Sequence, residues 1–129
     1  MAVILRSIVL LMAGALSACA LPVHQMALSA PIAPASGHSF VLARDAYCSI
    51  STGYGRTLRA GTHWDLFGTI DRGEVYRSQD QLLTVEGFNV HEAYLVIKND
   101  SLVGFYLPVE KTFTPVSKVT RLQLTSYKE

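Results

Sequence analysis

The chain has 129 residues, 50% of them apolar, and carries 11 Lys+Arg against 10 Asp+Glu for a formal net charge of +1. That is room for one small domain and too little for a two-domain enzyme. The charge is unevenly placed, because Arg6 is the only charged residue before Arg44 and all 10 acidic residues lie from Asp45 onward. The first third is a different kind of sequence from the rest.

Residues 1–18 have the three parts of an export signal: a positive end at Arg6, an apolar run from Ser7 to Leu16, and an exit of small residues. The run, roughly ten residues, is too short for a hydrocarbon core that needs about 20, which predicts a cleaved signal and not an anchor helix. Its last residues, Leu16-Ser17-Ala18-Cys19, resemble the lipobox of bacterial lipoproteins. That resemblance implies lipid attachment (palmitate or similar acyl chains) at Cys19, which becomes the first residue of the mature protein. More than one chain is needed for stable anchoring, since each buried methylene contributes about 0.8 kcal/mol and one chain binds only marginally. A plain secretory signal, cleaved near Ser17-Ala18-Cys19-Ala20, is the alternative. Asp after the lipidated Cys commonly marks inner-membrane retention, and here the residue is Ala20. The resemblance therefore implies the outer membrane of a two-membrane bacterium, with the lipid-anchored domain facing the periplasm.

After Cys19, residues 20–38 contain no charge and no aromatic residue, include Pro22, Pro31 and Pro34, and keep no steady period. Such a segment predicts a flexible Ala/Pro/Ser linker. It would reach about 60 Å extended and about 25 Å as a coil, a leash long enough to hold the domain clear of the lipid. Loss of Arg6 with the signal leaves 10 basic against 10 acidic residues, so no basic stripe remains for nucleic acid or anionic headgroups. Membrane attachment is expected from the lipid at Cys19. Lipidation also leaves Cys48 alone among the 2 Cys, which excludes an intrachain disulfide. Within Asp45-Ala46-Tyr47-Cys48-Ser49-Ile50-Ser51 it reads as a small buried strand residue, with inter-chain pairing, and so a homo-oligomer, as the alternative.

Residues 39–129 form the single domain. Runs of Val, Ile, Leu, Tyr, Phe and Thr recur between turn residues without sustained helical period. They predict an all-β fold, a small antiparallel β-barrel or sandwich of about six to eight short strands. Strands are expected near 39–43, 46–51, 63–70, 74–77, 82–86, 89–98, 101–107 and 118–125, although Gln79–Leu83 also fit one helical turn. Gly53-Tyr54-Gly55-Arg56 reads as a flexible loop, and Pro115 as part of a loop. Two hairpins stand out: one turning at Asp71-Arg72-Gly73, the other at Asn99-Asp100, residues that tolerate the φ values of tight turns. Pro108 is expected to end the strand before it.

The second hairpin is apolar on both sides. Ala93, Leu95 and Ile97 alternate with Tyr94 and Val96, and the partner strand through Phe105 and Tyr106 does the same. Two-sided burial is hard to supply in about 90 residues. Either the hairpin is central to the domain, or Tyr94, Val96, Phe105 and Tyr106 form a surface for a protein partner.

Enzyme signatures are missing: no Gly-x-Ser-x-Gly, no phosphate loop, no His-Glu-x-x-His and no Cys-x-x-Cys. No catalytic residues and no cofactor are predicted. His63 and Asp65, two apart on one strand face, could with His91 in principle supply three metal ligands, on weak evidence from spacing. Trp64 reads as a core anchor at the start of its strand, with an exposed recognition aromatic as the alternative. The stretch from Gly68 to Pro115, with Gly-x-Ile-x-x-Gly-x-Val-Tyr-Arg and Val-Gly-Phe-Tyr-Leu-Pro-Val-Glu-Lys, resembles small, uncharacterised outer-membrane lipoproteins of proteobacteria and carries over no catalytic residue. The expectation is a non-enzymatic envelope lipoprotein that docks on another envelope protein, with a small-ligand or metal-binding periplasmic module as the alternative.

Overall fold

Strand-forming residues separated by Gly, Pro, Asn and Asp are unable to sustain a helix, and the computed structural model, which describes residues 20–127, contains none. In chain order the strands are β1 (Met26–Ala27), β2 (Ala33–Pro34), β3 (Ser39–Leu42), β4 (Ala46–Ser49), β5 (Gly55–Leu58), β6 (His63–Ile70) and β7 (Gly73–Ser78). They continue as β8 (Thr84–Glu86), β9 (Val90–Glu92), β10 (Tyr94–Lys98), β11 (Ser101–Leu107), β12 (Thr112–Arg121) and β13 (Leu124–Tyr127). All their pairings are antiparallel, so the fold is all-β.

The main sheet runs β1-β12-β11-β10-β7-β6-β3-β13, with β2 paired to β6 off that path. Its two ends are not paired to each other, so it is not a closed barrel. Two separate hairpins, β4-β5 and β8-β9, complete the fold.

The expected hairpins form where the turn chemistry places them. Asn99 and Asp100 take φ of 51° and 61° between β10 and β11, and Gly73 takes φ 150° where β7 begins. Ile70 pairs with Gly73, which shortens the first loop to Asp71-Arg72. Other elements differ from expectation. Gly55 and Arg56 belong to β5, held on β4 by pairings such as Cys48 with Arg56, so the 53–56 segment is only partly a loop. Pro115 lies inside β12, opposite Gly104 and next to a register shift between Leu102 and Gly104. A bulge accommodates a residue that has no N–H to give to the ladder.

Both faces of the sheet are apolar. On one, Phe40, Trp64, Tyr76, Leu95, Phe105 and Leu107 pack under Cys48, Ile50, Leu58, Leu83 and Val85 from the two hairpins. On the other, Val75, Tyr94, Val96, Tyr106 and Phe113 pack with Met26, Leu28 and Ile32. Period-2 alternation assigns the faces along β10. Bulges then reset it, so that Leu102 and Phe105, three apart, share a face across the shift in β11.

The expectation of a flexible linker over 20–38 is corrected here. Val23 is buried in the hairpin-side cluster, β1 pairs with β12, and β2 pairs with β6. The segment passes from one face to the other around the β12 edge and lies across the second face as a strap. Low charge and prolines exclude a helix, but they do not make a chain free when its Val, Met, Leu and Ile find an apolar face to bury.

Candidate functional site

The four residues expected to meet a partner protein are core residues. Tyr94 is 9% exposed, Val96 0%, Phe105 2% and Tyr106 2%. Phe105 points into the hairpin-side cluster, and the other three into the strap-side cluster. Of the two readings of this apolar pattern the central hairpin holds: the β4-β5 and β8-β9 hairpins cover Phe105, and the chain's own N-terminal segment covers Tyr94, Val96 and Tyr106.

Hydrogen bonds fix the strap along its length. Gln25 Oε1 accepts from Thr112 Oγ1 at 2.8 Å, and Ser29 Oγ donates to Asp71 Oδ2 at 3.0 Å. Further along, Ala35 N donates to Phe67 O at 3.2 Å. Two glycines let the strap come close. A Cβ on Gly68 would stand 2.7 Å from Ala33 O, and one on Gly87 would stand 2.5 Å from Leu21 O. Phe67, Tyr94 and Tyr106 form a chain of rings beneath, with centroids 4.9 Å and 6.2 Å apart.

Where the strap ends, a polar cleft of about 680 Å³ opens at the far end of β6, β7, β10 and β13. His38 stands on its wall. His38 Nδ1 lies 3.0 Å from the Tyr76 hydroxyl, which donates to Glu74 Oε2 at 2.7 Å, while His38 Nε2 lies 3.4 Å from Ser126 Oγ. Asp71, Asp100 and Lys98 also line the cleft, so carboxylates outnumber cations. Burial pushes the Tyr76 hydroxyl well above the usual tyrosine range, and the Glu74 hydrogen bond and the Glu74 and Asp100 charges add to the rise. Tyr76 therefore stays a neutral donor to Glu74. The Glu74 and Tyr76 spacing on one strand was legible as a shared face. Their meeting with His38 and Ser126, 38 and 88 residues apart from their partners, had no local signal.

The three residues weighed as metal ligands have separate partners. His63 Nδ1 is 3.3 Å from both Asp80 carboxylate oxygens, Asp65 Oδ1 accepts from Ser39 and Gln79, and His91 Nδ1 is 2.6 Å from Glu110 Oε1. Among the described residues no group of three or more His, Cys, Asp and Glu converges to hold a metal. His91 is 8% exposed, and its bond to Glu110 ties β9 to the turn between β11 and β12.

Cys48 is a free, buried thiol. Burial pushes it up to about 11, against a partial opposing pull from the Arg56 charge, and Sγ donates to Arg56 O at 3.4 Å. It is held as the thiol and is a poor nucleophile at neutral pH. Trp64, 3% exposed, is the core anchor its sequence suggested, with Nε1 donating to Thr62 Oγ1 at 2.9 Å. Cys19, read as the lipid attachment site, and the signal before it lie outside the described residues.

Compared with known protein families, curated proteins and solved structures, the chain matches none.

Proposed function

We propose that this is a lipoprotein of the bacterial outer membrane, anchored through acyl chains on Cys19, whose β-domain faces the periplasm as a non-enzymatic accessory module for another envelope protein. The observation that carries the reading is the junction of anchor and fold: the chain that follows the lipobox-like Leu16–Cys19 is built into the domain at Val23, β1 and β2. A lipid at Cys19 then holds the domain in a set position, as suits a spacer or support. The partner does not dock on Tyr94, Val96, Phe105 or Tyr106. It has the free edge of β13 at the end of the sheet, where unpaired backbone groups can take a further strand.

The test is the mass and location of the full chain made in a two-membrane bacterium. Acylated Cys19 in the outer-membrane fraction is expected, with Cys19→Ser moving the protein to the soluble periplasm. An unacylated wild-type protein in the periplasm sinks the reading.

A second reading rests on the His38 cleft: a small polar ligand, favoured if cationic, held by Glu74, His38 and Asp100. Titration with small amines would be followed by NMR. Shifts confined to the cleft and lost in Glu74→Gln are expected, and no shift at millimolar amine removes this reading.

A further inference from the structure

We infer that the β8-β9 turn, together with Leu21, is the membrane-facing end of the domain and inserts into the acyl boundary of the bilayer. This rests on the lipid-anchor reading above and adds a face and a depth to it.

Three large apolar side chains stand in solvent at this end: Leu21 is 57% exposed, Phe88 73% and Val90 64%. The backbone brings Leu21 to Phe88, and Val90 follows two residues on at the start of β9. Phe88 N donates to Leu21 O at 2.8 Å, and the close approach of Leu21 O to Gly87 leaves no room for a side chain there. The turn is also held from behind, since Thr52 Oγ1 donates to Glu86 O at 2.7 Å and Gly87 N donates to Asn89 O at 3.0 Å. Phe88 is therefore presented on a fixed support. Exposed apolar clusters on a small protein mark an interaction surface, and here the chain itself indicates which one. Ala20 is joined to Cys19 by one peptide bond, about 3.8 Å between Cα atoms. Acyl chains on Cys19 enter the bilayer within two residues of Leu21, and the hydrogen bond from Phe88 carries the turn to the same surface.

The chemistry of the cluster fits lipid tails better than charged headgroups. The exposed side chains are aliphatic and aromatic, and the charged residues flanking them on β8 and β9 are Glu86 and Glu92. Insertion should therefore proceed into a zwitterionic bilayer and gain nothing from anionic lipid. Neighbouring Val109, 75% exposed, lies in the turn that Glu110 ties to His91.

The test uses the full acylated chain, reconstituted into phosphatidylcholine vesicles after mass spectrometry of Cys19. Nitroxide labels are placed at Phe88→Cys and, as the reference, at Val119→Cys, an exposed site toward the other end of β12. Buried Cys48 and acylated Cys19 leave the introduced thiol as the reactive one. The ratio of oxygen to nickel-chelate collisions should be several-fold higher at 88 than at 119, and unchanged when anionic lipid is added. Val90→Cys supplies an independent second position. Equal water access at 88, 90 and 119 in an acylated, vesicle-bound protein overturns the inference and leaves the anchor standing, which would assign the cluster to a protein partner. A higher ratio at 119 overturns the orientation. An unacylated chain overturns both.

Discussion

The two faces of the sheet solve one problem in different ways. Under the hairpins, Phe40, Leu95 and Phe105 are covered by β4-β5 and β8-β9, pairs that satisfy their own backbone groups. Across the other face, Tyr94, Val96 and Tyr106 are covered by a strap whose strands are two residues each, Met26–Ala27 and Ala33–Pro34. A cover with little internal hydrogen bonding depends on the apolar face beneath it. The strap face should therefore open first, and the hairpin face should unfold only with the whole domain.

The largest effect expected is on the hairpin side, where Phe105→Ala should destabilise by about 3–5 kcal/mol. Chemical denaturation measures it, and a cost near zero would mean that this cluster does not hold the fold. Next comes Gly68→Val, which drives a side chain into Ile32 and Ala33 and should cost about 1–3 kcal/mol. Its distinguishing mark is local: amide protection falls over residues 24–36 while β10 and β11 keep theirs. Burial, followed by the Tyr94 charge, holds the Tyr106 hydroxyl above the usual range, so Tyr106 should also ionise at lower pH in this variant. Uniform loss of protection would show that the two faces are one cooperative unit.

A pH series separates the faces further. Cys48, on the hairpin side, is raised from 9.0 to about 11 by burial. The folded state thus holds its proton where the unfolded state has released it, and the resulting stability, fully present below pH 9, is lost as pH climbs toward 11. Cys48→Ala should flatten this part of the profile in alkaline denaturation, and an unchanged slope would assign it to Tyr76 and Tyr106 alone. The smallest effect concerns Thr114, fully buried opposite Phe105, whose hydroxyl has no hydrogen-bond partner among the described residues. Thr114→Val should stabilise by ~1 kcal/mol, because an unbonded hydroxyl is removed at nearly constant shape. A loss of stability would reveal a partner for that hydroxyl.

What was legible in the sequence was what local chemistry fixes. Alternation and turn residues specify the strands at 63–70 and 101–107 and the Asn99-Asp100 turn, since side-chain period and allowed φ are properties of short segments. The apolar pattern of Tyr94, Val96, Phe105 and Tyr106 likewise demanded cover on two sides. The bulge that admits Pro115 and the meeting of His38 with Tyr76 and Ser126 depend on register between distant strands, which no local pattern encodes. The same holds for the strap. Residues 20–38 have the composition of a linker and, by themselves, no reason to order, because two-residue strands gain too little to offset the entropy of holding them. Only the assembled sheet, with its second apolar face open beside Gly68, supplies the burial that turns a leash into part of the fold.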